Sequence, residues 1–175
     1  MKIARKILLG LLVLIVALVG GGYVWLQAAY PSVGAAPDIS IEITPERIAR
    51  GEYLATSVAV CVDCHSTRDF SKFAGPVIDG TIGKGGERFG EEMALPGTFY
   101  APNITPFHLQ DWTDGEIYRA ITAGVSKDGR PLFPIMPYLD YGKMDKEDIY
   151  SIIAYLRSLE PIEYTAPASA ANFPM

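Results

Sequence analysis

Hydrophobic and polar positions divide the chain into three regimes. From Ile7 to Leu26 the run ILLGLLVLIVALVGGGYVWL is uncharged over 20 residues. As a helix it is about 30 Å long at about 1.5 Å per residue, the hydrocarbon thickness of a bilayer. From Tyr30 to Ile43 the pattern breaks up around Pro31 and Pro37 and reads as a linker. Beyond it, three segments carry helical periodicity, and each opens with the same local chemistry. Thr44 caps a helix with Pro45 at its first position, and Ile43 is placed to staple onto Ile48. Thr113 and Glu116 form a capping box, with Trp112 set against Ile117. Asp145 caps the third helix, with Met144 and Ile149 in the stapling positions.

In the third helix Ile149, Ile152, Ile153, Leu156 and Leu159 form one stripe that Pro161 ends. The middle helix is expected to bury Ile117, Ala120 and Ile121 and to stop near Gly124. Gly51 in the first helix is unfavourable by propensity; it either admits a close neighbour or is simply tolerated. Seven glycines lie between Gly75 and Gly97 without strand-like alternation, which predicts a long irregular loop. The stretch GTIGKGGE within it lacks the spacing of a phosphate loop and follows no apolar strand. The expected architecture is all-α. A basic end and transmembrane anchor occupy 1–29, a linker 30–43, one helical domain 44–160 and an extended tail 161–175.

Composition narrows the function classes. At 49% hydrophobic and 20% charged the chain is not a disordered polypeptide. Lys2, Arg5 and Lys6 precede the apolar run, and the first acid is Asp38. Of the net charge of -5, the remainder of the chain therefore carries -8, which argues against a nucleic-acid partner. The same asymmetry places the N-terminus in the cytoplasm and the rest across the membrane. Tyr23, Trp25 and Tyr30 cluster at the far end, where aromatic rings favour the headgroup layer. The alternative is a signal peptide cleaved after Val33-Gly34-Ala35, although signal cores are only about 7–15 residues long. Either way the domain is exported.

The chain has two cysteines and two histidines, and three of these four residues lie together in Cys61-Val62-Asp63-Cys64-His65. This is C-x-x-C-H, the attachment motif of c-type haem. On one helical turn the two thiols reach the two vinyl groups, and His65 projects its imidazole toward the iron. A redox dithiol is one alternative, but no βαβ pattern surrounds the motif. A zinc site of Cys61, Cys64, His65 and His108 is another, with ligand spacing unlike the usual finger. A disulfide across two residues closes almost no loop.

Met/His ligation raises the potential and closes the iron, whereas an empty sixth position invites exogenous ligands. Met136 is favoured, because it lies in Pro131-Leu132-Phe133-Pro134-Ile135-Met136-Pro137, where three prolines lower the entropy lost on ordering a weak thioether ligand. Met144, accounted for as a staple, His108 and Met93 are the alternatives.

With these residues the sequence resembles a class I c-type cytochrome, and more closely a single domain of the cytochrome subunit of membrane-bound alcohol, aldehyde and gluconate dehydrogenases. The matching stretches are RGEYLATSVAVCVDCHS, FYAPNITP, DWTDGEIYRAITAGVSKDGRPLFPIMPY and MDKEDIYSIIAYLRSL, spread over about residues 45–160. The resemblance implies a small cytochrome c fold with long loops around one covalently attached haem c. It implies haem on Cys61 and Cys64 and iron held by His65 and Met136. It also suggests that Trp112 and Arg130 lie near the haem edge, facing propionates; as residues alone they read equally as a staple and a surface arginine. Those subunits carry three haem domains, whereas this sequence holds one motif and a hydrophobic leader. The expected function is one-electron transfer by a non-enzymatic, membrane-anchored carrier in a respiratory or photosynthetic chain, with its domain on the periplasmic side. The expected partners are membrane complexes with a basic docking face. An electron-accepting subunit of a periplasmic dehydrogenase is the second reading, and a haem enzyme or gas sensor the third.

Overall fold

The computed structural model describes residues 2–172. The last three positions of the expected tail lie outside the described residues. Helix α1 runs Lys2–Ala29 with no buried residue and is the one described helix long and apolar enough to cross a membrane. The domain that follows is built on the helices α2 (Pro45–Tyr53), α3 (Cys61–Cys64), α4 (Pro106–Leu109), α5 (Asp114–Ala123), α6 (Tyr138–Tyr141) and α7 (Lys146–Ser158), joined by long irregular segments.

All three expected helix starts are in place. Thr44 Oγ1 accepts from Arg47 N at 3.3 Å, and Asp145 Oδ1 accepts from Glu147 N at 2.8 Å. At α5 both halves of the capping box form, with Thr113 N donating to Glu116 Oε2 at 2.8 Å and Glu116 N to Thr113 Oγ1 at 3.2 Å. Gly124 ends α5 in the left-handed conformation at φ 66°.

The core is the packing of α2 against α7. Leu54, Ile149, Ile152, Ile153 and Leu156 are buried together there, joined by Ile117 from α5. Ala120 and Ile121 are only half-buried. A Cβ at Gly51 would overlap the Ser151 carbonyl oxygen and lie 2.5 Å from its carbon and 2.8 Å from Tyr155 Cβ. Gly51 therefore admits a close approach of α7 that no side chain would allow. At the rim Arg47 pairs with Glu147 at 2.7 Å, and Arg50 makes a two-pronged pair with Asp148 at 2.9 and 3.0 Å.

Two expectations need correction. The domain is not wholly α. Strands β1 (Arg88–Phe89), β2 (Gly97–Tyr100) and β3 (Ala170–Ala171) form a small antiparallel sheet in the order β1-β2-β3. Two-residue strands are too short to show alternation, and β3 comes from the tail. A Cβ at Gly97 would lie 2.8 Å from Ala171 Cα, so the glycine admits the tail strand. The expected linker, moreover, is loose only in its first half. Residues 32–35 are exposed, but Ile41 belongs to the core and its N–H donates to Asp114 Oδ2 at 2.9 Å. Pro37 passes so close to Gly115 that a Cβ there would overlap the Pro37 carbonyl. Asp114 in turn pairs with Arg157 at 3.0 Å, and Arg157 also donates to the Leu109 carbonyl at 2.7 Å and to that of Trp112.

Candidate haem site

Helix α2 continues into a π-helical turn, Leu54–Val58, and then reverses at Val60, a β-branched residue held at φ 46°. Such backbone is costly for valine and persists where surrounding structure requires it. It launches α3, a single turn carrying Cys61, Cys64 and then His65, whose N–H donates to the Cys61 carbonyl at 3.0 Å.

Both cysteines are free thiols and half-buried. Burial pushes Cys61 up to about 11, and burial followed by the charge of Asp63 raises Cys64 as well. Among the described residues no three of His, Cys, Asp and Glu converge as a metal site. His108 stands apart on the exposed surface, its ring 6.3 Å from that of Trp112.

His65 Nδ1 lies 2.8 Å from the Pro102 carbonyl oxygen. A carbonyl only accepts, so Nδ1 carries the proton and Nε2 keeps its lone pair. Burial lowers the His65 pKa, and the hydrogen bond to the Pro102 carbonyl partly opposes that shift.

The glycine-rich loop explains how Pro102 is brought there. Gly85 N donates to the His65 carbonyl at 2.8 Å, and Gly83 N to the fully buried Ser66 Oγ at 3.1 Å. Gly85 has φ 77°, and a Cβ on it would sit 2.5 Å from the Pro102 carbonyl carbon and oxygen. Only glycine allows that crossing. The loop is backing for the histidine segment. Pro102, Gly85, Ser66 and Asn103 were not legible as site residues; the sequence signal was the stretch FYAPNITP, whose partner lies 37 residues earlier.

Met136 is half-buried in the proline-bounded loop, and its carbonyl accepts from Tyr138 N at 2.8 Å. Met144 packs on the core, as a staple should, and Met93 is 57% exposed on a short 3₁₀ turn. The Met136 loop is tied at both ends. Phe133 stacks on Phe99 of β2 with centroids 3.9 Å apart. Tyr141, at the end of α6, donates to the Ala59 carbonyl at 2.6 Å, two residues before Cys61. Burial, then the nearby cysteines, raise the Tyr141 pKa. Trp112 and Arg130 line one cleft, together with His108 and Lys127. Behind it Arg119 donates to the Ser126 carbonyl at 2.7 Å and to the Lys127 carbonyl at 3.3 Å, while its Nε is buried with no hydrogen-bond partner.

No protein-family model matches the chain. It is similar to the gluconate 2-dehydrogenase cytochrome c subunit of Pantoea cypripedii, 35% identical over 129 residues, which is 71% of this chain and 25% of the relative. The fructose dehydrogenase cytochrome subunit of Gluconobacter japonicus is 31% identical over 131 residues, 73% of this chain and 24% of that protein. A dihaem cytochrome c-type protein of Cereibacter sphaeroides is 28% identical over 173 residues, 97% of this chain and 53% of that protein. The chain thus spans about a quarter of the two dehydrogenase subunits and about half of the dihaem protein. It is a c-type cytochrome resembling the cytochrome subunits of membrane-bound dehydrogenases, with haem c as the implied cofactor.

Proposed function

We propose that the chain is a membrane-anchored electron carrier with a single haem c, bound through Cys61 and Cys64 and ligated by His65 and Met136, on the outer face of the cytoplasmic membrane. The observation that carries this reading is the 2.8 Å bond from His65 Nδ1 to the Pro102 carbonyl, made directly after the turn that carries Cys61 and Cys64. A metal-ligating histidine is oriented in this way by its second nitrogen. The bound haem supplies reversible one-electron chemistry. His65 offers a fixed lone pair, and Tyr141 ties the loop bearing Met136 to the cysteine segment. Trp112, Arg130 and the unpartnered Nε of Arg119 gather around the turn at 126–130 and offer donors suited to propionates. Helix α1, by its length and hydropathy, supports the anchor.

The test is maturation in a host able to attach c-type haem. One haem per chain that survives denaturation and solvent extraction is expected; colourless protein overturns the reading. Met136→Ala should lose the near-infrared sulfur-to-iron band, and retention of the band reassigns the ligand to Met144 or Met93. The charge of -8 beyond the leader favours a partner with a basic face, so raising ionic strength should slow electron transfer. A second reading, an electron-accepting subunit of a dehydrogenase complex, is favoured by the names of the relatives. In mild detergent a carrier comes away alone and a subunit does not.

A further inference from the structure

Asn103 is 1% exposed and uses its whole hydrogen-bonding capacity. Its Nδ2 donates to the carbonyls of Ile162 and Tyr164 at 2.8 and 2.9 Å. Its Oδ1 accepts from Thr105 N at 2.8 Å and from Thr105 Oγ1 at 2.7 Å. The orientation of the amide is determined by its partners, because two carbonyls only accept and a backbone N–H only donates. Thr105 Oγ1 closes the network by accepting from Ile162 N at 3.2 Å. The tail thus crosses directly over the residue that follows Pro102. It continues outward, where Lys84 lies over the Tyr164 ring at 4.7 Å, Ser169 Oγ accepts from Tyr100 N at 2.9 Å and β3 pairs with β2.

We infer that Asn103 is a positioning residue for the proximal imidazole: strapped by tail residues 162–164, it holds the Pro102 carbonyl where His65 Nδ1 donates to it, and thereby lowers the reduction potential. This rests on the reading of His65 as an iron ligand. A well-directed acceptor at Nδ1 makes the imidazole a more basic ligand, which favours the ferric state over the ferrous. The acceptor is a backbone carbonyl on a loop, so its direction depends on what holds that loop. Gly85 limits it by close contact, and the side chain of the next residue, Asn103, is fixed by four hydrogen bonds to Thr105, Ile162 and Tyr164.

The sign of the effect separates positioning from simple loosening. A slack Pro102 carbonyl weakens ligand basicity and raises the potential, whereas a generally loosened fold admits water to the site, favours the more highly charged ferric state and lowers it. The experiment compares full-length haem-loaded wild type, Asn103→Ala and the isosteric Thr105→Val. Thr105→Val removes only the hydroxyl link and decides the matter alone if Asn103→Ala fails to fold. Midpoint potential is measured together with the solvent exchange of the His65 Nδ1 proton by NMR. Asn103→Ala should shift the ferric-to-ferrous ratio at fixed potential about tenfold toward ferrous, an increase of about 59 mV for one electron. Thr105→Val should shift it at least twofold in the same direction, and both should speed proton exchange. A folded variant with its axial ligands intact and a potential that is unchanged or lower overturns the inference. Wild type without covalent haem would instead overturn the reading of the site, before any variant is compared.

Discussion

Substituting Gly51 by alanine tests the central packing claim, because two contributions of opposite sign compete. Inside an exposed helix Gly→Ala is worth about 1 kcal/mol in favour of alanine. Here the new methyl would overlap the Ser151 carbonyl oxygen and stand 2.5 Å from its carbon and 2.8 Å from Tyr155 Cβ. The obstacle is backbone, so no side-chain rotation relieves it and α2 must move off α7. A gap of about 0.5–1 Å forfeits about a quarter to a half of each affected dispersion contact. The contacts at stake include those of Leu54, Ile152 and Tyr155, each no more than 6% exposed. Overpacking of this kind costs about 1–3 kcal/mol, and more where backbone must shift. We expect a net loss of about 2 kcal/mol after the propensity gain. Guanidinium unfolding of the haem-loaded protein, followed by helical circular dichroism and by haem absorbance, measures it as a lower midpoint. If Gly51→Ala were more stable by about 1 kcal/mol, propensity alone would be acting and the close helix crossing would be refuted.

Other variants probe the supports of the site and of the tether. Val60→Gly should stabilise the fold by about 1 kcal/mol, since it relieves positive-φ strain at a 43% exposed side chain; a lower unfolding midpoint would show that Val60 packs more than it strains. Asp114→Ala removes the acceptor of both Arg157 and the Ile41 N–H and should cost about 3 kcal/mol. It should also open residues 37–41 to limited proteolysis, which is the readout for the docked segment. If α1 anchors the chain as proposed, inserting ten Gly/Ser residues after Ser32 lengthens the exposed segment of about 7 residues to about 17 and should lower effective concentration near a membrane partner about fourfold. The rate of electron transfer in proteoliposomes reports it, and an unchanged rate would mean that tethering does not limit the encounter.

Local interactions made much of this protein legible without coordinates. Caps at Thr44, Thr113 and Asp145 act within one turn, so their residues announce helix starts regardless of the rest of the fold. The α7 stripe marks its buried face because helical period and burial coincide. The C-x-x-C-H spacing points to a cofactor because its chemistry needs three side chains on one turn. Legibility ended where partners are distant in sequence. The carbonyl that orients His65 comes from Pro102, the glycine that admits it from Gly85, and the strap over both from residues 162–164. A backbone carbonyl has no residue type, so no pattern can flag it as functional. The capture of Ile41 and the pairing of the tail with β2 were hidden likewise: a linker and a tail have no periodicity until a surface elsewhere in the chain receives them. Sequence alone determined the three capped helices and the candidate chemistry, because both depend on neighbours along the chain; tertiary structure decided the short helical turns and what holds the histidine in place, because these depend on neighbours in space.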